Sequence, residues 1–261
     1  MIHLRSEEEI ATIRHSARIV AGCLDHLERI IAPGVTPKQL DREAEQYVKD
    51  HGALPAFKGY RGYPATLCVS VNHVVVHGIP NDVAFEEGDI VGVDMGAIVN
   101  GYYADSARTV AAGKVPKEVQ RLIDVTREAL HRGIAQAVDG HRVGDIGHAI
   151  QTYAEGFGFS VVRDLVGHGV GRQLHEEPQI PNYGRAGRGP KLSVGMVLAI
   201  EPMLAMGSPE VSTLPDNWTV VTRDRSWSAH FEHTIAVGRE APEILSLSEE
   251  GAAERARVVG G

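Results

Sequence analysis

Cysteine is scarce: two in 261 residues, Cys23 and Cys68, each inside an apolar segment. That excludes a disulfide framework and makes the reducing cytosol the expected compartment. No apolar run is long enough to cross a bilayer. The first residues, Met1-Ile2-His3-Leu4-Arg5-Ser6-Glu7-Glu8-Glu9, lack the apolar stretch of a signal peptide. A cytoplasmic protein with no membrane partner is expected. Positive charge is also short, with 26 Lys and Arg against 34 Asp and Glu and a net charge of −8. The molecule as a whole is therefore not an electrostatic nucleic-acid binder. One local basic patch remains, Arg185, Arg188 and Lys191 in a glycine-rich loop. No Pro/Ser-rich linker, long charge run or low-complexity segment divides the chain, so a single domain over 1–261 is expected. With 43% apolar and 23% charged residues, the chain has the composition of a globular protein. A chain this long buries roughly three quarters of its unfolded surface.

A weak internal repeat runs through it. At an offset of 106, Gly34-Val35-Thr36 meets Gly140-His141-Arg142, Leu40 meets Ile146, Tyr47 meets Tyr153, and Gly52 meets Gly158. Each copy reads as a helix entered after one glycine and stopped by another. A longer helical pattern precedes each. The first starts at Ser6, whose spacing to Glu9 is that of a capping box, with Ile10, Ile13, Ala17, Val20, Leu24 and Leu27 on one face. The second opens at Pro116, with Val119, Leu122, Ile123, Leu130 and Ile134. Two similar halves, near 1–110 and 111–250, are expected. Strand patterns follow each helix pair: Thr66–Val76, then Ile90–Ile98 and Tyr102–Val110 around the hairpin signal Asn100-Gly101. Met196–Met206, Asn217–Thr222 and Trp227–Val237 are strand candidates in the second half. The predicted class is α+β, with helices covering one face of largely antiparallel strands.

Acids occupy places where a core belongs. Asp94 lies inside Ile90-Val91-Gly92-Val93-Asp94-Met95-Gly96-Ala97-Ile98. Burying an ionised carboxylate there is very costly without a partner or a metal. A two-residue turn at Asn100-Gly101 sets Val99 against Tyr102, Gly96 against Asp105, and Asp94 against Ala107. Asp94 and Asp105 then become diagonal neighbours on one face. Two like charges so placed repel, or one takes up a proton. A divalent cation between them resolves the conflict. The second half has matching oddities: Glu201 interrupts Met196-Val197-Leu198-Ala199-Ile200-Glu201-Pro202-Met203-Leu204, and Glu232 sits in Ala229-His230-Phe231-Glu232-His233-Thr234-Ile235-Ala236-Val237. His168 sits in Gly167-His168-Gly169-Val170-Gly171, where glycines admit close neighbours. Four carboxylates and one imidazole suit two first-row divalent metals better than a thiolate zinc site.

Other patterns carry less. The glycines around His168 do not have dinucleotide-binding spacing, and no Gly-x-Ser-x-Gly elbow occurs. Cys68, in its apolar setting, reads as a wall residue rather than a nucleophile. Asn217-Trp218-Thr219 fits a glycosylation sequon that a cytosolic chain never presents to that machinery. Two of the thirteen histidines border turns: His77 in His77-Gly78-Ile79-Pro80 and His175 in His175-Glu176-Glu177-Pro178.

Those two turns, with Val93-Asp94, Asp105-Ser106-Ala107-Arg108-Thr109, Gly167-His168-Gly169-Val170-Gly171, Glu201-Pro202 and Phe231-Glu232-His233-Thr234, resemble the type I methionine aminopeptidases. The resemblance runs in order from about Ser6 to Leu245. It implies the pita-bread fold, two pseudo-symmetric αβ halves around a dimetal centre. By the matching motifs, Asp94, Asp105, His168, Glu201 and Glu232 would be the metal ligands, with Asp105 and Glu232 bridging. His168 and Glu201 would complete one site and Asp94 the other. The two divalent ions could be cobalt, manganese, iron or zinc. His77 and His175 would contact the substrate near the scissile amide. Glu201 would take a proton from the attacking water, and His175 would donate to the oxyanion. Tyr60, Tyr63, Cys68 and Trp218 match the expected wall of the methionine pocket. Phe57 and Leu174 stand where some bacterial members carry a smaller and a larger residue, respectively.

The implied substrates are nascent polypeptide N-termini with a small second residue. The implied form is a monomer, with the basic patch as a possible ribosome contact. Two rival readings are an X-Pro dipeptidase or aminopeptidase of the same fold and a metal-free peptide-binding protein. The X-Pro relatives usually carry a further N-terminal domain, and the binding proteins typically lose ligand residues.

Overall fold

The computed structural model of the protein describes residues 1–248. The last two residues of the expected second half, and the rest of the expected domain to 261, lie outside the described residues. Four helices carry the packing. The first, α1 (Glu7–Ile30), starts on the reciprocal cap read from Ser6 and Glu9. The Ser6 Oγ accepts the Glu9 N–H at 3.2 Å, and the Glu9 carboxylate accepts the Ser6 N–H at 3.0 Å. Helix α2 (Pro37–Asp50) repeats the device with Thr36 and Gln39 and places Pro37 in its first turn, where a missing N–H costs nothing. Helices α3 (Lys117–Ile134) and α4 (Val143–Gly156) follow. The offset of 106 carries the bounds of α2 onto those of α4.

The strands are β1 (Leu54–Pro55), β2 (Leu67–Val71), β3 (Val74–Val76), β4 (Asp89–Val99), β5 (Tyr102–Ala112), β6 (Ser160–Val161), β7 (Gly167–Gly169) and β8 (Glu176–Ile180). Then come β9 (Val197–Ile200), β10 (Met203–Ala205), β11 (Val211–Thr213), β12 (Val220–Thr222), β13 (Ser228–His230), β14 (Glu232–Ala236) and β15 (Glu243–Ile244). The main sheet has the order β1-β4-β5-β14-β9-β7-β8, with β2 also on β4 and β15 on β14. Two three-stranded sheets, β13-β10-β6 and β11-β12-β3, flank it. Pairing within the main sheet is antiparallel throughout. None of the described helices is long and apolar enough to cross a membrane.

Strand alternation separates core from site. Along β4, Val91, Val93, Met95 and Ala97 are buried with Leu24, Leu27, Leu40 and Val48 of α1 and α2. The intervening Asp94 therefore points to the other face. In the second half, Leu122, Ile123 and Leu130 of α3 and Ile146 and Ile150 of α4 pack with Leu198, Ile200 and Ile235. Both helix pairs thus cover the same face of the sheet, and the acids project from the opposite one.

Four strand expectations need correction. Thr66–Val76 breaks at Asn72, which takes a positive φ of 55°, into β2 on the main sheet and β3 on a small one. Met196–Met206 is not one strand: β9 belongs to the main sheet and β10 to a small one. The chain changes sheets at Glu201-Pro202, because Pro202 has no N–H to continue the ladder. Trp227–Val237 likewise divides at Phe231 into β13 and β14. Asn217–Thr222 shortens to β12, because the Asp216 side chain accepts the N–H groups of Trp218 and Thr219 and holds that stretch in a turn.

Candidate metal centre and substrate cavity

The hairpin has the expected register: Val99 faces Tyr102, Gly96 faces Asp105 and Asp94 faces Ala107. Asn100 and Gly101 both take positive φ, 51° and 75°, as a primed two-residue turn requires. Strand β14 then pairs with β5, Glu232 against Ala107, bringing a third acid beside the first two. The Thr234 hydroxyl locks this junction. It accepts the Asp105 N–H at 3.2 Å and lies 2.8 Å from the Asp105 carbonyl oxygen.

His168 enters from β7, next to β9. A Cβ on Gly167 would meet the Ala199 carbonyl oxygen at 2.3 Å, and one on Gly169 the Glu177 carbonyl oxygen at 2.4 Å. Only glycine lets this strand fit between its neighbours. His168 Nδ1 lies 3.0 Å from the Gly169 carbonyl oxygen and must carry the ring proton to bond it. Nε2 is left with a free lone pair, 3.5 Å from Asp105 Oδ2 and 3.5 Å from Glu201 Oε1. Glu201 follows the end of β9, where Pro202 turns the chain, and Asn182 Nδ2 donates to its carbonyl at 3.0 Å.

Donor atoms of Asp105, His168 and Glu232 all lie within 4.8 Å of one another. Asp94 Oδ1 is buried without a hydrogen-bond partner. Burial pushes the carboxyls of Asp94 and Glu201 up to about 8. It also raises Asp105, and it raises Glu232 well above the carboxylate range, with Asp105, Glu201 and Asp94 adding repulsion there. Four acids around one imidazole, Asp105 and Glu232 buried and Asp94 and Glu201 half-buried, form an electrostatic conflict that a divalent cation resolves. The donor set fits a hard metal.

One cavity of about 810 Å³ is lined by all five of these residues and by His77, His175, Tyr60, Tyr63, Cys68 and Trp218. Every residue singled out from the sequence for this site therefore faces the same space. The Tyr60 hydroxyl lies 2.8 Å from His175 Nδ1. Burial first, then the neighbours His168 and Arg61, lowers the His175 imidazole to about 3. His77, at φ 59°, is lowered to about 4 by burial and by His230. Beside them Ala56, Phe57, Tyr63, Ala65, Cys68 and Leu174 pack as an apolar cluster, from which Phe57, Tyr63, Cys68 and Leu174 line the cavity, and Trp218 stands edge-on to Tyr63 at 5.0 Å between ring centroids. The Cys68 thiol is raised well above its usual range by burial, then by Asp94, so it offers no thiolate. Cys23 and Cys68 are both free.

Sequence reasoning passed over three features. The Thr234 clamp stood within a quoted motif without a role. His230 lies buried behind Glu201, its Nε2 3.6 Å from Glu201 Oε2. Its spacing of two from Glu232 was the available signal. The N-terminal segment also reaches the cavity: His3 and Arg5 line it, and Arg5 pairs with Glu176 beside His175. Nothing local in the sequence announces that contact across the whole fold.

A buried acid cluster with one imidazole, opening on a peptide-sized cavity, defines a metal-dependent hydrolase. The profile of metallopeptidase family M24 matches residues 11–239, and the chain belongs to that family. Within it the strong likeness is to methionine aminopeptidases. The enzyme of that name from Clostridium acetobutylicum is 51% identical over 95% of this chain and 100% of its own length. The crystal structure of methionine aminopeptidase from Thermotoga maritima superposes with a TM-score of 0.94 at 45% identity, covering 95% of this chain and 100% of that one. A prolidase from Pyrococcus furiosus shares the fold at a TM-score of 0.76 and 23% identity, with 94% of this chain matching 66% of that one. The fold is the pita-bread fold.

Proposed function

We propose that this protein is a methionine aminopeptidase, removing the N-terminal methionine from polypeptides whose second residue is small. The observation that carries the reading is the meeting of the acid–imidazole cluster and the aromatic-walled apolar pocket in one cavity. Likeness to methionine aminopeptidases over the full length of those chains supports it over X-Pro cleavage. The intact ligand set argues against a metal-free binding protein.

Asp94, Asp105, His168, Glu201 and Glu232 would hold two divalent ions, cobalt, manganese, iron or zinc according to availability. Such ions, in two-metal hydrolases that include aminopeptidases, supply Lewis acidity and a lowered pKa for water. Glu201 accepts the proton of the attacking water. With its Nδ1 accepting from Tyr60, the neutral His175 carries its proton on Nε2 and can donate it in a hydrogen bond to the oxyanion. His77 orients the scissile amide. The methionine side chain enters between Tyr60, Tyr63, Cys68 and Trp218, and its burial favours it over alanine by about 1.5–3 kcal/mol. Crowding by His77 and the acids limits the second residue to Gly, Ala or Ser. The substrates are then new chain N-termini in the cytoplasm.

The test is release of methionine from Met-Ala-Ser, with Met-Lys-Ser and Ala-Pro peptides as competitors, before and after chelation. Metal-dependent cleavage of Met-Ala-Ser alone is expected. Equal cleavage of Met-Lys-Ser, or preference for proline at the second position, would move the protein to another M24 activity.

A further inference from the structure

His230 ends β13, opposite Met203, the second residue after Glu201. Its backbone is pinned on both sides by Thr109, whose hydroxyl donates to the His230 carbonyl at 2.8 Å and accepts its N–H at 2.9 Å. The residue is 4% exposed, and its Nε2 is buried with no hydrogen-bond partner. That nitrogen lies 3.6 Å from Glu201 Oε2, while Glu201 Oε1 lies 3.5 Å from His168 Nε2. Glu201 therefore sits between two imidazoles, one facing each oxygen. The two are not equivalent. His168 lines the cavity and belongs to the group whose donor atoms lie mutually within 4.8 Å; His230 does neither.

We propose that His230 is a positioning residue for Glu201: its Nε2–H donates to Oε2 from behind the cavity and fixes the direction of Oε1. A movement of a few tenths of an ångström turns the present 3.6 Å separation into a hydrogen bond. It also satisfies a buried donor that has no hydrogen-bond partner at present. Partners of this kind, one step behind a ligand, set ligand orientation and metal affinity. The inference rests on the metal reading given above, in which Glu201 is both ligand and proton acceptor.

Two variants separate the donor from the bulk. His230→Gln keeps an N–H donor, and His230→Met removes it at similar volume. Metal-free protein is titrated with Co²⁺, followed by calorimetry and by visible absorption. His230→Met should bind Co²⁺ about tenfold or more weakly with an altered visible spectrum, and His230→Gln should stay within about threefold of wild type. In turnover, His230→Met should lower kcat with KM unchanged. Wild-type protein loaded with Zn²⁺ and labelled with ¹⁵N-histidine gives a readout independent of how the variants fold: His230 Nε2 should carry a slowly exchanging proton. A bare Nε2, wild-type Co²⁺ affinity in His230→Met, or equal impairment of the Gln and Met variants would overturn the proposal. A wild-type chain that binds no Co²⁺ would instead overturn the metal centre, and this role with it.

Discussion

Gly78 is a sharp probe of how His77 is held. A Cβ added there would meet the Val69 carbonyl oxygen at 2.1 Å and the Val69 carbonyl carbon at 3.0 Å, both backbone atoms of β2. Ordinary contact begins near 3.4 Å, so Gly78→Ala must push the His77–Gly78 segment and β2 apart by about 1.3 Å. Two contacts anchor that segment: the Val69 N–H donates to the Gly78 carbonyl at 2.8 Å, and the Tyr63 hydroxyl shares its one proton between the same oxygen at 3.0 Å and the Leu67 carbonyl at 2.9 Å. They hold His77 at its positive φ of 59°, a conformation that costs an L-residue about 1–2 kcal/mol. Weakening both removes about 1–3 kcal/mol of stability. A displacement near 1 Å of a group that orients the reacting amide costs about 10²-fold in rate. The assay is kcat/KM on Met-Ala-Ser together with the thermal midpoint. Gly156→Ala is the control. It closes α4 with nothing within 4 Å of the added Cβ, so activity should hold while stability rises by up to about 1 kcal/mol. Wild-type kcat/KM in Gly78→Ala, or loss of activity in the control, would refute the reasoning.

His175→Ala should keep its metal content and lose about 10²-fold in kcat, by removing an oxyanion donor; an unchanged rate in a metal-replete variant would remove His175 from the chemistry. Glu232→Gln should lower the metal-to-protein ratio measured by elemental analysis, because the buried charge proposed to hold metal is lost, and normal stoichiometry would show that Glu232 is not a ligand. The pH prediction concerns stability of the metal-free protein. Burial holds His77 at about 4 in the fold, below the ordinary 6.5, so between these values the unfolded chain binds the extra proton. Stability therefore falls as pH drops from 6.5 to 4. His77→Gln should flatten that part of the curve of thermal midpoint against pH, and parallel curves would refute the assignment.

Much of this was readable because it is local. Asn100-Gly101 specifies a two-residue primed turn, and that turn sets the register that puts Asp94 and Asp105 on one face. Ser6 with Glu9, and the apolar face from Ile13 to Leu27, specify α1 through short-range hydrogen bonds and 3.6-residue spacing. The misreadings cluster where the chain leaves one sheet for another. At Glu201-Pro202 and at Phe231 the apolar pattern continues unbroken while the hydrogen-bonding partner changes. Periodicity reports burial and is silent about which strand supplies the bonds. The Arg5–Glu176 pair and the placing of His230 behind Glu201 depend on that same long-range assembly.

The centre is shared between distant stretches of chain, and this has a consequence for synthesis. Asp105 and Thr234, which hydrogen-bond in the finished fold, are 129 residues apart. At ordinary translation rates the β4–β5 hairpin waits on the order of ten seconds for β14 to emerge. During that interval β5 is a long bare edge, the kind of strand that recruits other chains. The hairpin's open face carries two aspartates, Asp94 on β4 and Asp105 on β5, with no cation to bring them together. An edge holding uncompensated acids is a poor template for a second strand from another newborn chain. The carboxylates assigned here to metal binding therefore also guard the half-made sheet, until the strand carrying Glu232 arrives to cover it.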